Sequence, residues 1–317
     1  MSKSFKLFLI ILIFSLPLWW GINVFAQKLE GFFNAAEAAQ TITSFSKKDE
    51  SYEAPLKVQE VENLDLGAIS AISVLVRKDG TETILFQKNS QRKLSIASIS
   101  KLMTALVVLK NDDLSRVVEI SPGAAEVENE YGFGNLKVAE RFSVKNLLYF
   151  LLIESNNGSA HALAETIGEK EFVDLMNITA ANIGLKNTFF VNPTGLDPEN
   201  QLELTNYSNA EDLVKLGNYI LRKYPLIWDI ARDKEFDIYS ADGILFRKLK
   251  NINELLEAAP YLSGKTGWTS QALGCLIVIY QAPDRSGYII NVVLGSENRF
   301  EDMKALMSWL EDAYEWN

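Results

Sequence analysis

An α+β fold built on an antiparallel sheet is what the 317-residue sequence predicts, and three observations predict it. Strand-like runs lie near residues 71–86 and again at 274–294, the long stretch between them carries helical periodicity, and the strand runs are joined by tight turns. Strands at both ends of a helical middle must close one sheet from sequence-distant pieces, with helices flanking it and a helical subdomain between.

The elements follow in order. Lys3 and Lys6 precede an uncharged apolar stretch over residues 7–26. At about 1.5 Å per residue it is long enough for the ~30 Å hydrocarbon core, so residues 1–27 read as an N-terminal membrane anchor, and the membrane is an expected partner through this segment. Val24-Phe25-Ala26 also has the small-residue spacing of a signal-peptidase site, so a cleaved signal peptide is the rival reading. Either sends the rest of the chain out of the cytoplasm. Residues 28–63 are polar and mixed and read as a tether, and the ordered domain is expected over 64–317.

Ala71-Ile72-Ser73-Val74-Leu75-Val76 and Thr83-Ile84-Leu85-Phe86 flank Lys78-Asp79-Gly80, a hairpin signal. Residues 101–109 are apolar on nearly every side, as a buried central helix must be. Further helices are expected at 144–153, 159–167, 169–183 and 210–222. Strands at 274–280 and 288–294 surround the turn signal Pro283-Asp284-Arg285-Ser286-Gly287, and an amphipathic helix spans 300–314.

Composition narrows the function. The chain is 48% hydrophobic and 23% charged, which is globular, and its formal net charge of -10 argues against a nucleic-acid partner. One cysteine, Cys275, and one histidine, His161, leave no disulfide, no Cys-based zinc site and no His-rich metal site. No metal and no cofactor is expected. The chemistry has to come from Ser, Lys, Asp, Glu, Tyr or the backbone.

Ser98-Ile99-Ser100-Lys101 is a Ser-x-x-Lys, a pattern also met at Ser44-Phe45-Ser46-Lys47 and Ser90-Gln91-Arg92-Lys93. Only Ser98 opens a buried helix, on which residues three apart share a face, so serine and amine become neighbours. The plainer alternative is a helix cap with a snorkelling lysine. Ser155-Asn156-Asn157 falls at a break between two apolar helices, and Lys265-Thr266-Gly267 leads into the final hairpin; each alone could be a turn.

Ser-x-x-Lys, Ser-x-Asn and Lys-Thr-Gly in this order are the motif set of penicillin-binding proteins and β-lactamases. The surrounding text, including Asn192-Pro193-Thr194-Gly195-Leu196-Asp197, Asn251-Ile252-Asn253-Glu254-Leu255-Leu256, Trp268-Thr269 and Asn298-Arg299-Phe300, resembles the serine-type D-alanyl-D-alanine carboxypeptidases, the low-molecular-weight penicillin-binding proteins of peptidase family S11. The resemblance runs from about Ala71 to Trp309. It implies a β-lactamase/transpeptidase-like fold, peptidoglycan stem peptides as substrate, β-lactams as covalent inhibitors, and action at the outer face of the bacterial cytoplasmic membrane. It implies Ser98 as nucleophile, Lys101 as base, Lys265 as a second catalytic cation that helps keep Lys101 neutral, Ser155 relaying a proton toward the leaving amine, and Asn157 holding Lys101 and the substrate amide. The Ser98 and Trp268 N–H groups would form the oxyanion hole, and Thr266 and Arg299, beside Gly267, would receive the terminal carboxylate. The plainer reading of Arg299 is an ion pair with Glu301 or Asp302.

Two positions depart from the pattern: Gly158 stands where Asp often follows the Ser-x-Asn triplet, and Thr194 where a His is usual. His161 and Cys275 are expected to be packing residues. The chain ends at Asn317, after the helix that closes the catalytic domain in this family, and the smaller β domain and C-terminal membrane helix of many relatives are not expected here. A D,D-endopeptidase or β-lactamase of the same fold stays open, as does a wall-binding module without turnover. The stretch from Glu169 to Asn177 reads as helix, which is not the deacylating loop of a class A β-lactamase.

Overall fold

The structure is a computed structural model that describes residues 55–58, 62–131, 136–200, 202–257 and 261–316. Its sheet is built from β1 (Ser70–Arg77), β2 (Glu82–Lys88), β3 (Tyr261–Thr269), β4 (Leu273–Gln281) and β5 (Gly287–Ser296), in the spatial order β3-β4-β5-β1-β2 with every neighbouring pair antiparallel. The closure expected from the sequence is the β5–β1 ladder, which runs from Gly287 opposite Arg77 to Leu294 opposite Ser70. The Asp79-Gly80 turn behaves as its residues require. Asp79 Oδ1 accepts from the Thr81 N–H and hydroxyl, and Gly80 takes φ +91°.

Among the described residues there are eight α-helices: α1 (Lys101–Asn111), α2 (Pro122–Tyr131), α3 (Val144–Ile153), α4 (Asn157–Glu165), α5 (Glu169–Ile183), α6 (Ala210–Lys223), α7 (Leu226–Ala231) and α8 (Arg299–Ala313). Strand periodicity divides the sheet between two cores. Ile72, Val74 and Val76 of β1, Cys275, Ile277 and Ile279 of β4, and Ile290, Val292 and Leu294 of β5 face the core shared with α1, α3, α4 and α6. Ala71, Leu75, Leu276, Val278, Ile289 and Val293 face the core under α8, with Met303, Leu306 and Leu310. α1 is buried from Lys101 to Val108, as an all-round apolar helix must be.

Caps fix the helix boundaries. Ser143 Oγ accepts from Asn146 N at the start of α3, and Asn209 does the same for Asp212 N at α6. The helix expected at 159–167 begins at Asn157, because Asn156 Oδ1 accepts from Ser159 N at 2.6 Å. The helix expected over 300–314 runs Arg299–Ala313. The sequence reading missed α2, α7 and the hairpin Glu235–Tyr239 with Leu245–Lys250.

The domain also starts earlier than residue 64. Leu56–Lys57 pairs with Tyr314–Glu315, Val58 N donates to Ala313 O, and Trp309 Nε1 donates to Glu62 O. These contacts draw residues assigned to the tether onto α8, and the compact unit that holds them spans Ala54–Asn317. The expected anchor or signal at 1–27 and most of the tether lie outside the described residues. No helix among the described residues is long and apolar enough to cross a membrane.

Candidate active site

The site lies where α1, the start of α4, the Asn192–Asp197 loop and edge strand β3 meet. Ser98 sits in a 3-10 turn, Ala97–Ser100, that runs directly into α1. Residue 97 takes φ +46°, and residue 195 beneath it takes φ +82°. A Cβ on Gly195 would stand 2.0 Å from Ala97 O, so only glycine lets the loop lie this close under the serine. β3 closes the other side: a Cβ on Gly267 would be 3.0 Å from both Ile96 O and Ser98 N.

Lys101 is fully buried, and its Nζ has three partners: Ser98 Oγ at 2.8 Å, Asn157 Oδ1 at 2.8 Å and Thr194 O at 2.7 Å. Burial pulls its pKa from 10.5 down to about 7, against an opposing pull from the Glu128 carboxylate. A neutral amine has two N–H groups and one lone pair. The two carbonyl oxygens take the N–H groups, and the lone pair is left for the Ser98 hydroxyl. Thr104 Oγ1, donating to Pro193 O at 2.6 Å, holds the carbonyl-bearing loop against α1.

Ser155 and Asn157 reach the same point from the α3–α4 break. Ser155 holds φ +59°. Its neighbour Glu154 is clamped by Arg247, whose Nη1 and Nη2 donate to the two carboxylate oxygens at 2.6 and 2.5 Å. Lys265, also buried, donates to Ser155 Oγ and to Thr266 O, both at 2.8 Å. Its pKa is held well below 10.5 first by burial, then by the charges of Lys101 and Arg299. Three motifs, the first and last more than 160 positions apart along the chain, thus form one chain of contacts, Asn157–Lys101–Ser98 beside Ser155–Lys265.

Thr266 and Gly267 are buried on β3, while the Trp268 indole stands 61% exposed at the rim. Arg299 opens α8 with its Cβ 3.0 Å from where a side chain on Gly274 would begin. The ion pair with Glu301 or Asp302 is not formed: Glu301 accepts from Lys304, Asp302 accepts from Gly67 N and Ser296 Oγ, and Arg299 Nε is buried with no hydrogen-bond partner among the described residues.

The family model for D-alanyl-D-alanine carboxypeptidases, Peptidase_S11, matches residues 57–298. The chain belongs to this family. It is 32% identical over 250 residues to a D-alanyl-D-alanine endopeptidase of Pseudomonas aeruginosa, covering 75% of this chain and 76% of that protein. It is 33% identical over 250 residues to the D-alanyl-D-alanine carboxypeptidase DacF of Bacillus subtilis, spanning 76% of this chain and 61% of the relative. The fold matches penicillin-binding protein D2 of Listeria monocytogenes, solved in an ampicillin-bound form, with a TM-score of 0.66 and 26% identity over 78% of this chain and 99% of that one. The antiparallel sheet and helical subdomain are those of a penicillin-binding peptidase, and the chain is a serine-type peptidase of the D-alanyl-D-alanine carboxypeptidase family.

Its departures from the family pattern have structural readings. At 194 the group that reaches Lys101 is the backbone carbonyl, so the Thr side chain need not act there; its hydroxyl instead braces the loop by donating to Asn192 Oδ1. Asp197 of the same loop accepts from Thr269 Oγ1 and ties the loop to the end of β3. His161 lies on α4 with Nε2 2.8 Å from Glu169 Oε1 and 3.3 Å from Glu165 Oε1. Cys275 is a buried thiol pushed up to about 12 by burial. The sequence reading missed Glu128, which is buried on α2 and accepts from Asn157 N at 2.9 Å and Gly158 N at 3.0 Å. Nothing in the local pattern marks it, since Pro122–Tyr131 reads as an acidic surface stretch.

Proposed function

We propose that this peptidase removes the terminal D-alanine of peptidoglycan stem peptides through an acyl-enzyme on Ser98. The observation that carries the reading is the 2.8 Å contact between Ser98 Oγ and a buried Lys101 amine whose pKa lies near 7. With substrate bound, the neutral Lys101 takes the Ser98 proton as Oγ attacks the carbonyl carbon between the two D-alanines. The oxyanion forms toward the N–H groups of Ser98 and Trp268, and the close approach of Gly267 to Ser98 N supports that placement. As the C–N bond breaks, the proton held by Lys101 is relayed through Ser155, backed by Lys265, to the leaving amine, Lys101 returns to its neutral form and D-alanine departs. A water then adds to the ester carbonyl, Ser98 regains its proton, and the shortened peptide is released. Asn157 fixes Lys101 and the substrate amide, while Thr266 and the Arg299 guanidinium receive the terminal carboxylate.

A β-lactam would acylate Ser98 by the same attack, which fits a family with an ampicillin-bound member. The likeness to an endopeptidase gives a second reading, cleavage of D,D-crosslinks, on the same residues. One assay separates them: free D-alanine released from diacyl-Lys-D-Ala-D-Ala supports the carboxypeptidase, and cleavage of crosslinked dimer without such release would replace it with the endopeptidase. The uncharged apolar run at 7–26, preceded by Lys3 and Lys6, supports a location at the outer face of the cytoplasmic membrane with that segment as the anchor. N-terminal sequencing from intact cells tests this, because a mature chain beginning at Gln27 would defeat the anchor and leave export intact.

A further inference from the structure

Glu128 is 1% exposed, beside a reaction centre whose two lysines are themselves buried. An ionised carboxylate is costly to bury unless it is hydrogen-bonded and balanced by charge. Here the backbone N–H groups of Asn157 and Gly158, in the first turn of α4, both donate to Glu128 Oε2, where the helix dipole also favours a negative group. Asn157 is the residue whose Oδ1 meets Lys101 Nζ. Gly158 makes the approach possible, since a Cβ there would stand 2.6 Å from Ala124 O and 2.8 Å from Glu128 Cβ. Glycine at 158 and glutamate at 128 are therefore one arrangement: α2 can press its carboxylate onto the triplet only because the next residue has no side chain.

We propose that Glu128 is a positioning residue for the reaction, fixing the first turn of α4 and with it the Asn157 amide against Lys101, while its negative charge balances the cationic form of that buried lysine. The inference rests on Ser98 and Lys101 acting as nucleophile and base. Among the described residues the charged and titratable groups around Lys101 are few. Glu128 faces it from α2, and Lys265 faces it from β3 with Arg299 of α8 behind. His161 on α4 is taken up by Glu165 and Glu169, and Glu154 after α3 by Arg247. Burial makes Lys101 a weaker base, and the Glu128 carboxylate is the charge that works the other way. A base driven too far down would be neutral at every working pH yet too weak to take the serine proton.

The test is the pH dependence of benzylpenicillin acylation in the full-length protein, with folding followed by circular dichroism. Glu128→Gln keeps an oxygen for the two N–H groups and removes the charge. Its acid limb is expected to move to lower pH by about one unit, the low end for loss of a nearby opposite charge. Glu128→Asp keeps the charge but draws the carboxylate back, so its limb is expected to stay in place while the rate falls, by up to about 10²-fold if Asn157 shifts by an ångström. A Gln limb superimposed on the wild-type limb, or Asp and Gln limbs shifted alike, would overturn the proposal. An Asp variant acylating at the wild-type rate overturns it even where the Gln variant does not fold. Ser98→Ala run in parallel keeps the two readings apart: if that variant still labels, the assignment of the nucleophile has failed, whereas an unlabelled Ser98 variant with an unmoved Gln limb removes only the role of Glu128.

Discussion

Ala97 and Ser155 both hold φ in the left-handed region, at +46° and +59°, and each sets a serine of the site. Such conformations cost non-glycine residues about 1–3 kcal/mol each and persist only where the surroundings impose them. Here the Gly195 loop imposes the first and the Glu154–Arg247 clamp adjoins the second. Ser98→Ala is expected to abolish penicillin labelling and D-alanine release, and Ser90→Ala to leave both intact, because the buried Ser90 hydroxyl donates to Glu211 Oε1. Full activity in the Ser98 variant would end the mechanism. Lys101 carries the pH dependence. Its folded pKa of about 7 lies below the usual 10.5, so the amine is neutral above pH 7 and gains a proton as the pH falls through that value. Acylation is therefore expected to rise between about pH 6 and 8 and to lose its rate below. Lys101→Arg, charged at every such pH, should acylate about 10²–10⁴-fold more slowly, which stopped-flow measurement with a chromogenic cephalosporin would read.

At the scale of elements, α8 serves two purposes: its inner face fills the core under the sheet, and its first residue turns toward the lysines. Arg299→Ala is expected to slow release of D-alanine by roughly 10- to 100-fold, the worth of a charge-assisted bond, while leaving hydrolysis of a thioester without a terminal carboxylate nearly unchanged. Equal losses on both substrates would assign Arg299 to packing. The elements legible in the sequence were those whose pattern is local. α1 announces itself by apolar residues on every side, the first hairpin by Asp79-Gly80, and α5 by a helical period ending at Gly184, φ +84°. The hairpin at 235–250 was not legible, because its strands have alternating exposure and many charges, and its fixed point is Arg247 meeting Glu154, 93 positions away. Within the site the motif residues could be named from spacing, but Glu128 and the Thr194 carbonyl could not. One is a carboxylate on an acidic helix and the other a backbone atom, and only the packing of α2 and the loop on α4 and α1 gives either a role.

The whole molecule is tied across its ends. Candidate site residues at 98, 155, 265 and 299 converge only if β1 and β5 pair, so the sheet that joins the two ends of the domain also assembles the candidate site. The segment before β1 adds a second tie. Leu56–Lys57 pairs with Tyr314–Glu315, Val58 N donates to Ala313 O at 2.9 Å, Trp309 Nε1 donates to Glu62 O at 2.8 Å, and Lys57 Nζ lies 5.5 Å from the Trp309 ring. All of these contacts land on the C-terminal part of α8 or just after it, at the end remote from Arg299. The segment should therefore matter for stability and not for chemistry. A chain starting at Ala54 is expected to melt where the full-length protein does. A chain starting at Leu64 loses the tie; at a net ~1 kcal/mol per hydrogen bond, with part of that returned as chain entropy, the loss is about 1–3 kcal/mol. For a domain of this size that is roughly a 2–12 °C fall in Tm. Differential scanning calorimetry of the two truncations decides it, with penicillin labelling at 25 °C as the control. Equal melting temperatures would show that residues 54–63 are tether after all, and lost labelling in the Leu64 chain would show that the tie reaches the site.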